Sequence, residues 1–306
     1  MNHLAERVKS PDDIFLDHYD EIMARDGRGK ALSFLSLPQL DDRIWGLPKK
    51  SLVVVGGRPS MGKSTLMLQM AWDFARGGKK VLFITLEMTA EECVERLWSM
   101  DQEIDNFWLI SGKINKVKDT TCIKDKRDAF YNQLGTAKLT FVENYGKTFA
   151  EINDVISSTN KGEYDAVFID YLQMIKEKTN SKTAIDEYIK DLRSYAIKKN
   201  FCAIVGSQIN RGSHDQHKIR EPEMYELKGS GSIEEHCDVC ILVHWPWFYS
   251  RDKGIGEKEK YLVKVCKNRR GRSGRFNCKF EPEYFRVSEY PQAPDEGVGR
   301  VRKDLD

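Results

Sequence analysis

The chain has 306 residues, 40% hydrophobic and 31% charged, with 49 Lys plus Arg against 47 Asp plus Glu. That is enough apolar material for one large domain or two small ones. A net charge of +2 excludes global electrostatic steering toward nucleic acid, so any polyanion must be met by local patches. No apolar run approaches the roughly 20 residues of a membrane span, and "MNHLAERVKS" has no signal-peptide core. Seven cysteines, an odd count without framework spacing, point to a reducing, cytoplasmic compartment.

In chain order, "SPDDIFLDHYDEIMARDG" (10–27) predicts a helix: Ser10 caps it, Pro11 suits the first position and Gly27 closes it. Its apolar stripe (Ile14, Phe15, Tyr19, Ile22, Met23) has no partner within the segment, so the helix docks on its own domain or on a neighbouring subunit. Strand-like runs follow at 51–57, 80–87, 139–144, 164–170, 201–208 and 238–244. Helical patterns separate most of them, two with capping boxes, Thr89 with Glu92 and Thr148 with Glu151. Continuous apolar strands alternating with helices predict an α/β fold, a mostly parallel central sheet with helices on both faces. From about 258, "EKYLVKVCK", "GRFNCKFE" and "YFRVSE" predict an antiparallel extension. Residues 291–306 read as a polar tail.

"GRPSMGKS" (57–64) fits G-x-x-x-x-G-K-[ST] directly after a strand and before a helical pattern. Gly57, Arg58, Pro59, Ser60, Met61, Gly62 and onward to Thr65 form the loop, and its backbone N–H groups, of which Pro59 has none, would cradle phosphate at a helix N-terminus. Lys63 would reach the β- and γ-phosphates of ATP, and Ser64 would give an oxygen to Mg²⁺. "AVFIDYLQM" ends a strand in Asp170, placed to hold a carboxylate near that ion. Glu87, after "VLFIT", could take a proton from an attacking water or be a solvated helix-start acid. Gln208 closes "FCAIVGSQ" at the same sheet edge, where it could sense the γ-phosphate.

Cys237 and Cys240 in "HCDVCILVHW" have C-x-x-C spacing beside His236. No second cysteine pair lies nearby, and the stretch runs into an apolar strand, where positions three apart face opposite ways; it reads as structural rather than as a zinc or redox site. His214 and His217 read as loop residues. Between Lys264 and Arg275 stand six cations and no acid, either a soluble basic turn or a group of cations with a target.

The set "GRPSMGKST", "TLEM", "VFIDYLQM", "GSQINRG", "LKGSGSIEEHCDVCILV" and "VKVCKNRRG" resembles the motor domain of DnaB-type replicative helicases, in family order from about 30 to 290. That resemblance implies a RecA-like P-loop NTPase that forms a homo-oligomer, a hexameric ring, and moves 5′ to 3′ on single-stranded DNA. It assigns Lys63 and Ser64 to phosphate and magnesium, Glu87 to the catalytic base, Asp170 to the Walker B acid and Gln208 to coupling. Lys267 and Arg269 match the basic finger that reaches the γ-phosphate in the next protomer. Arg270, Arg272 and Arg275 read as a solvated turn or subunit-contact face.

Residues 210–235 match loops facing the central channel, with Asn210, Arg211, Lys228, Gly229, Ser230 and Gly231 as DNA-contact positions. The family commonly has arginine then glutamate where Lys228 and Gly229 stand, which removes a bidentate fork. The resemblance further implies a 1–30 linker arm on a neighbouring subunit and a 31–290 motor, read here without the family's usual N-terminal helical domain, with primase or a helicase loader as partners. A RecA- or KaiC-like ATPase without unwinding activity, or a non-enzymatic subunit using ATP as an assembly ligand, are the alternatives.

Overall fold

The computed structural model describes residues 10–12, 15, 19, 32–116, 120–143, 148–175, 182–209, 220–227, 230–250 and 257–290. Its centre is a nine-stranded sheet of order β3-β2-β4-β5-β1-β6-β7-β8-β9. The strands are β1 (Ser51–Gly57), β2 (Val81–Thr85), β3 (Leu139–Glu143), β4 (Ala166–Asp170), β5 (Cys202–Gln208), β6 (Val239–His244), β7 (Lys260–Asn268), β8 (Gly274–Glu281) and β9 (Arg286–Glu289). β1 to β6 pair in parallel, and β7 to β9 continue the sheet antiparallel. The predicted α/β fold and its antiparallel extension are therefore present.

The helices used below are α1 (Pro38–Ile44), α2 (Lys63–Arg76), α3 (Ala90–Gln102), α4 (Asn106–Ile110), α5 (Thr120–Thr136), α6 (Phe149–Ser158), α7 (Lys182–Lys199), α8 (Ser230–His236) and α9 (Pro246–Ser250). Period-two alternation sorts each strand between two cores. Val53 and Val55 pack with α2, α3 and Phe130 of α5; Leu52 and Val54 pack with α6, α7 and Ile233 of α8. With both faces covered, β1, β2 and β4 are buried at every position, which is why they read as unbroken apolar runs rather than alternating ones.

Both predicted capping boxes form, at Thr89–Glu92 before α3 and Thr148–Glu151 before α6. Gln69 on α2 donates to the Val287 carbonyl at 2.7 Å and accepts from its N–H at 2.8 Å. The edge strand β9 is thereby tied to the helix that follows the glycine-rich loop. Of the predicted 10–27 helix, Pro11, Asp12, Phe15 and Tyr19 are described and helical. The Phe15 and Tyr19 rings lie 5.6 Å apart and are exposed. Apart from Ser10, the rest of that segment lies outside the described residues, as do His214, His217 and the 291–306 tail.

Candidate functional site

The carboxyl ends of β1, β2, β4 and β5 meet at one edge of the sheet, and the sequence-predicted groups converge there. β1 ends in Gly57, in register with Gln208 of β5, and residues 58–62 connect it to α2. Gly62 takes a left-handed φ of +72°, and a Cβ there would lie 3.1 Å from both Phe280 and the Tyr261 hydroxyl. Only glycine satisfies both conditions. Ser60 also adopts positive φ, at 62°. An aromatic wall backs the loop: the Tyr261 hydroxyl donates to the Met61 carbonyl at 2.8 Å, and the Tyr249 hydroxyl to the Pro59 carbonyl at 3.2 Å. Burial drives the Tyr261 hydroxyl well above its ordinary pKa, so it stays a neutral donor.

Lys63, the first residue of α2, is buried, and its Nζ donates to Asp170 Oδ1 at 2.5 Å. The same ammonium sits 4.0 Å from the Tyr171 ring centroid, a favourable cation–π placement. Asp170 is 1% exposed, and its Oδ2 has no hydrogen-bond partner among the described residues. A buried carboxylate oxygen of this kind is chemically suited to a cation or a hydrogen-bond donor. Gly206 of β5 leaves room for the pair, since a Cβ there would come within 2.8 Å of Lys63 Nζ and 2.9 Å of Asp170 Oδ1.

Glu87 lies on an exposed turn two residues beyond β2. That turn is pinned by the Thr85 hydroxyl donating to the Met88 carbonyl at 2.6 Å and by Leu86 N–H donating to the Asp170 carbonyl at 3.0 Å. Glu87 and Asp170 share an electrostatic neighbour: the Tyr171 hydroxyl is pushed up by burial and further by the charges of Glu87 and Asp170. Gln208 N–H donates to Gln173 Oε1 at 2.8 Å, and Gln173 Nε2 to Ser207 Oγ at 3.1 Å. Gln173 thus latches the segment after β4 to the end of β5.

Tyr171, Gln173 and Gly206 fall within the quoted motifs "VFIDYLQM" and "GSQINRG", but the sequence reading gives them no role. A glycine inside a strand pattern does signal close approach, and Gly206 in "IVGSQ" carries that sign. Nothing local distinguishes Gln173 from a solvated glutamine.

Arg58 turns from the loop's mouth. Its guanidinium donates to the Arg220 carbonyl at 2.8 Å and lies 3.6 Å from Glu226. Burial lowers its pKa, with Glu226 opposing that shift.

Lys267 and Arg269 share one target within their own chain. Lys267 Nζ donates to the Glu234 carbonyl at 2.5 Å, and Arg269 Nη2 to the Glu235 carbonyl at 2.7 Å. These carbonyls close α8, where the last turn leaves orphan acceptors and partial negative charge. Arg269 also holds Asp238, through N–H to its carbonyl at 2.9 Å and Nη1 to its Oδ1 at 3.6 Å. Arg275 pairs with Glu221 at 2.9 Å on the surface.

Asn210, Arg211, Lys228 and Gly229 lie outside the described residues; Ser230 opens α8, and Gly231 is exposed in its first turn. The described flanks of this segment meet in an Ile209–Leu227 bridge. Cys237 and Cys240 are both buried, and burial raises the Cys237 thiol to about 11.

Residues 35–289 match the family described as DnaB-like helicase C terminal domain. The chain belongs to that family. Among DnaB-like relatives, a probable plasmid replicative DNA helicase of Chlamydia psittaci is 29% identical over 255 residues, covering 76% of this chain and 50% of the relative. The replicative DNA helicase DnaB of Helicobacter pylori is 25% identical, covering 89% of this chain and 63% of the relative. A probable replicative DNA helicase of Trieres chinensis is 26% identical, at 82% and 56%. The chain thus spans between half and two thirds of these relatives' lengths. A solved ATPase domain superposes with a TM-score of 0.80 at 22% identity, covering 93% of this chain and 100% of that one. The structure of a DnaB-like replicative helicase and its interactions with primase gives 0.78 at 24% identity, covering 93% and 68%. Both share the RecA-like fold of the DnaB motor.

Proposed function

We propose that this chain is the motor of a ring-forming DNA helicase, hydrolysing Mg²⁺–ATP to move along single-stranded DNA. The observation that carries this reading is the buried Lys63–Asp170 pair at the mouth of the phosphate-binding loop, with Asp170 Oδ2 left without a partner among the described residues. In a DnaB-like chain that arrangement suits a nucleotide whose phosphates draw Lys63 away from Asp170. The residues fit a magnesium ion: a hard cation takes oxygen ligands, and Asp170 Oδ2 together with the Ser64 hydroxyl would hold it, directly or through water. Bound there, the ion would neutralise charge between β- and γ-phosphates.

The chain's own groups then divide the work. Loop N–H groups between Gly57 and Thr65, all but Pro59, orient the phosphates, and Lys63 balances charge on the γ-phosphoryl group. Glu87 accepts a proton from the water that attacks γ-phosphorus as the bond to the bridging β–γ oxygen breaks, giving ADP and phosphate. Gln208, on the strand beside Gly57, passes the state of the γ-phosphate to the segment beyond Ile209. Lys267 and Arg269 act on a neighbouring protomer's nucleotide after leaving the end of α8. Asn210, Arg211 and the Lys228–Gly231 stretch meet the DNA backbone, with glycines allowing close main-chain approach and Lys228 making binding salt-dependent. Six subunits, 5′ to 3′ travel and primase or loader partners follow the family. Among the described residues no helix is long and apolar enough to cross a membrane.

The test is mass measurement with and without ATP and single-stranded DNA, followed by strand separation on a forked duplex. Assembly with ATP-dependent unwinding, abolished by Lys63→Ala, is expected. Hydrolysis without unwinding would move the protein to the RecA- or KaiC-like alternative, and no turnover would end the motor reading.

A further inference from the structure

The segment 220–227 is gripped from both sides. On one side Arg58, next to Gly57 in the phosphate-binding loop, donates to the Arg220 carbonyl at 2.8 Å and lies 3.6 Å from Glu226 Oε1. On the other side Lys264 of β7, the strand that carries Lys267, donates to Glu223 Oε1 at 2.7 Å and to the Pro222 carbonyl at 3.3 Å. Glu226 joins the two grips. Its Oε1 accepts from Arg220 Nη2 at 3.0 Å, and its Oε2 from Glu223 N–H at 2.7 Å. At the base, Leu227 bridges Ile209, whose N–H donates to the Gly57 carbonyl at 3.1 Å.

We propose that Glu226 is a positioning residue that couples the phosphate-binding loop to the strand bearing the finger cations, by way of the segment closing the DNA-facing loop. The Arg58 side chain is 6% exposed and that of Glu226 14%, so little solvent screens this contact, and in this proposal it carries a shift of the loop backbone at Arg58. Lys264 and Glu223 carry the same shift to β7. Gln208 is the proposed phosphate sensor on β5; Glu226 adds a second tie through Arg58 and meets the first where Leu227 bridges Ile209. This inference rests on the reading of 210–231 as the DNA-facing segment.

The full chain is titrated with a slowly hydrolysed fluorescent ATP analogue, with and without a poly-dT oligonucleotide. The ratio of the two affinities is the coupling factor, and it must equal the factor by which nucleotide changes DNA affinity. Wild type is expected to give about fivefold or more. Glu226→Gln is expected to bring the factor to about one while each ligand alone still binds, and Glu226→Asp to restore part of it. A purely structural role would instead weaken both ligands together and lower the melting temperature without changing the factor.

A wild-type factor of one would remove the DNA-facing reading and the coupling with it. A factor that persists in Glu226→Gln with DNA binding intact would overturn the coupling alone. Should Glu226→Gln fail to fold, Glu223→Gln at the more exposed end cuts the Lys264 tie. It is expected to lower the factor, and an unchanged factor there overturns the proposal.

Discussion

Lys63 and Asp170 Oδ1 hold each other at 2.5 Å in a buried site, and the proposed nucleotide would meet Lys63 only if that contact adjusts. Gly206 sets the room for that adjustment. Gly206→Ala would put a methyl group 2.8 Å from Lys63 Nζ. Misplacement of about 1 Å at a reacting centre can cost about 10²-fold in rate. Phosphate release from Gly206→Ala is expected to fall by about that much, with the thermal transition retained. Glu87 tests a different step, because it is exposed and outside the Lys63–Asp170 pair. Glu87→Gln is expected to lower kcat by about 10² to 10⁴ and leave nucleotide KM unchanged. A matching rise in KM would mean that Glu87 serves binding rather than proton transfer.

The turn carrying Glu87 is held by its neighbours more than by itself. Thr89 accepts from Glu92 N–H at 3.1 Å, and Glu92 accepts from Thr89 N–H at 3.0 Å. The Ala90 N–H reaches Glu143 of β3 at 2.6 Å. Removing an N-cap side chain costs about 1 kcal/mol. Thr89→Ala is therefore expected to lower unfolding stability by about that amount in urea, with a smaller loss of kcat than Glu87→Gln. α8 shows the same economy at its other end: two carbonyls of its last turn are capped by Lys267 and Arg269, so the two proposed finger residues rest on an element of their own chain.

Release from α8 is a whole-molecule event, because the proposed target of Lys267 and Arg269 is the nucleotide of another copy. Mixed assemblies of Lys63→Ala with Arg269→Ala subunits test this directly. One variant lacks the phosphate-binding lysine and the other the finger arginine, so a junction with intact Lys63 on one side and intact Arg269 on the other is complete. Mixtures are expected to recover ATPase that neither variant shows alone. No recovery, with co-assembly verified by mass, would place the finger's action within its own chain. Chelation supplies a separate check: excess EDTA is expected to abolish turnover, and added Mg²⁺ to restore it.

Much of the frame was legible because it is local. Buried parallel strands need continuous apolar runs, and "SLVVVGG" corresponds to β1 residue for residue. The capping boxes at Thr89 and Thr148 form as written because a cap involves residues three apart. The G-x-x-x-x-G-K-S loop follows a strand and opens a helix because its positive-φ glycine and helix N-terminus are encoded within eight residues.

The sheet order was not legible: β1 lies between β5 and β6, and that adjacency brings Gly57 beside Gln208. The ion pair of Lys63 with Asp170, 107 positions apart, and the turn of Arg58 toward Glu226 depend on it too. Short-range chemistry belongs to the sequence by itself, because propensity, capping and periodicity act over a few residues. Which buried charge meets which is decided only by the tertiary structure, since desolvation demands a partner from whatever the packed sheet places within reach.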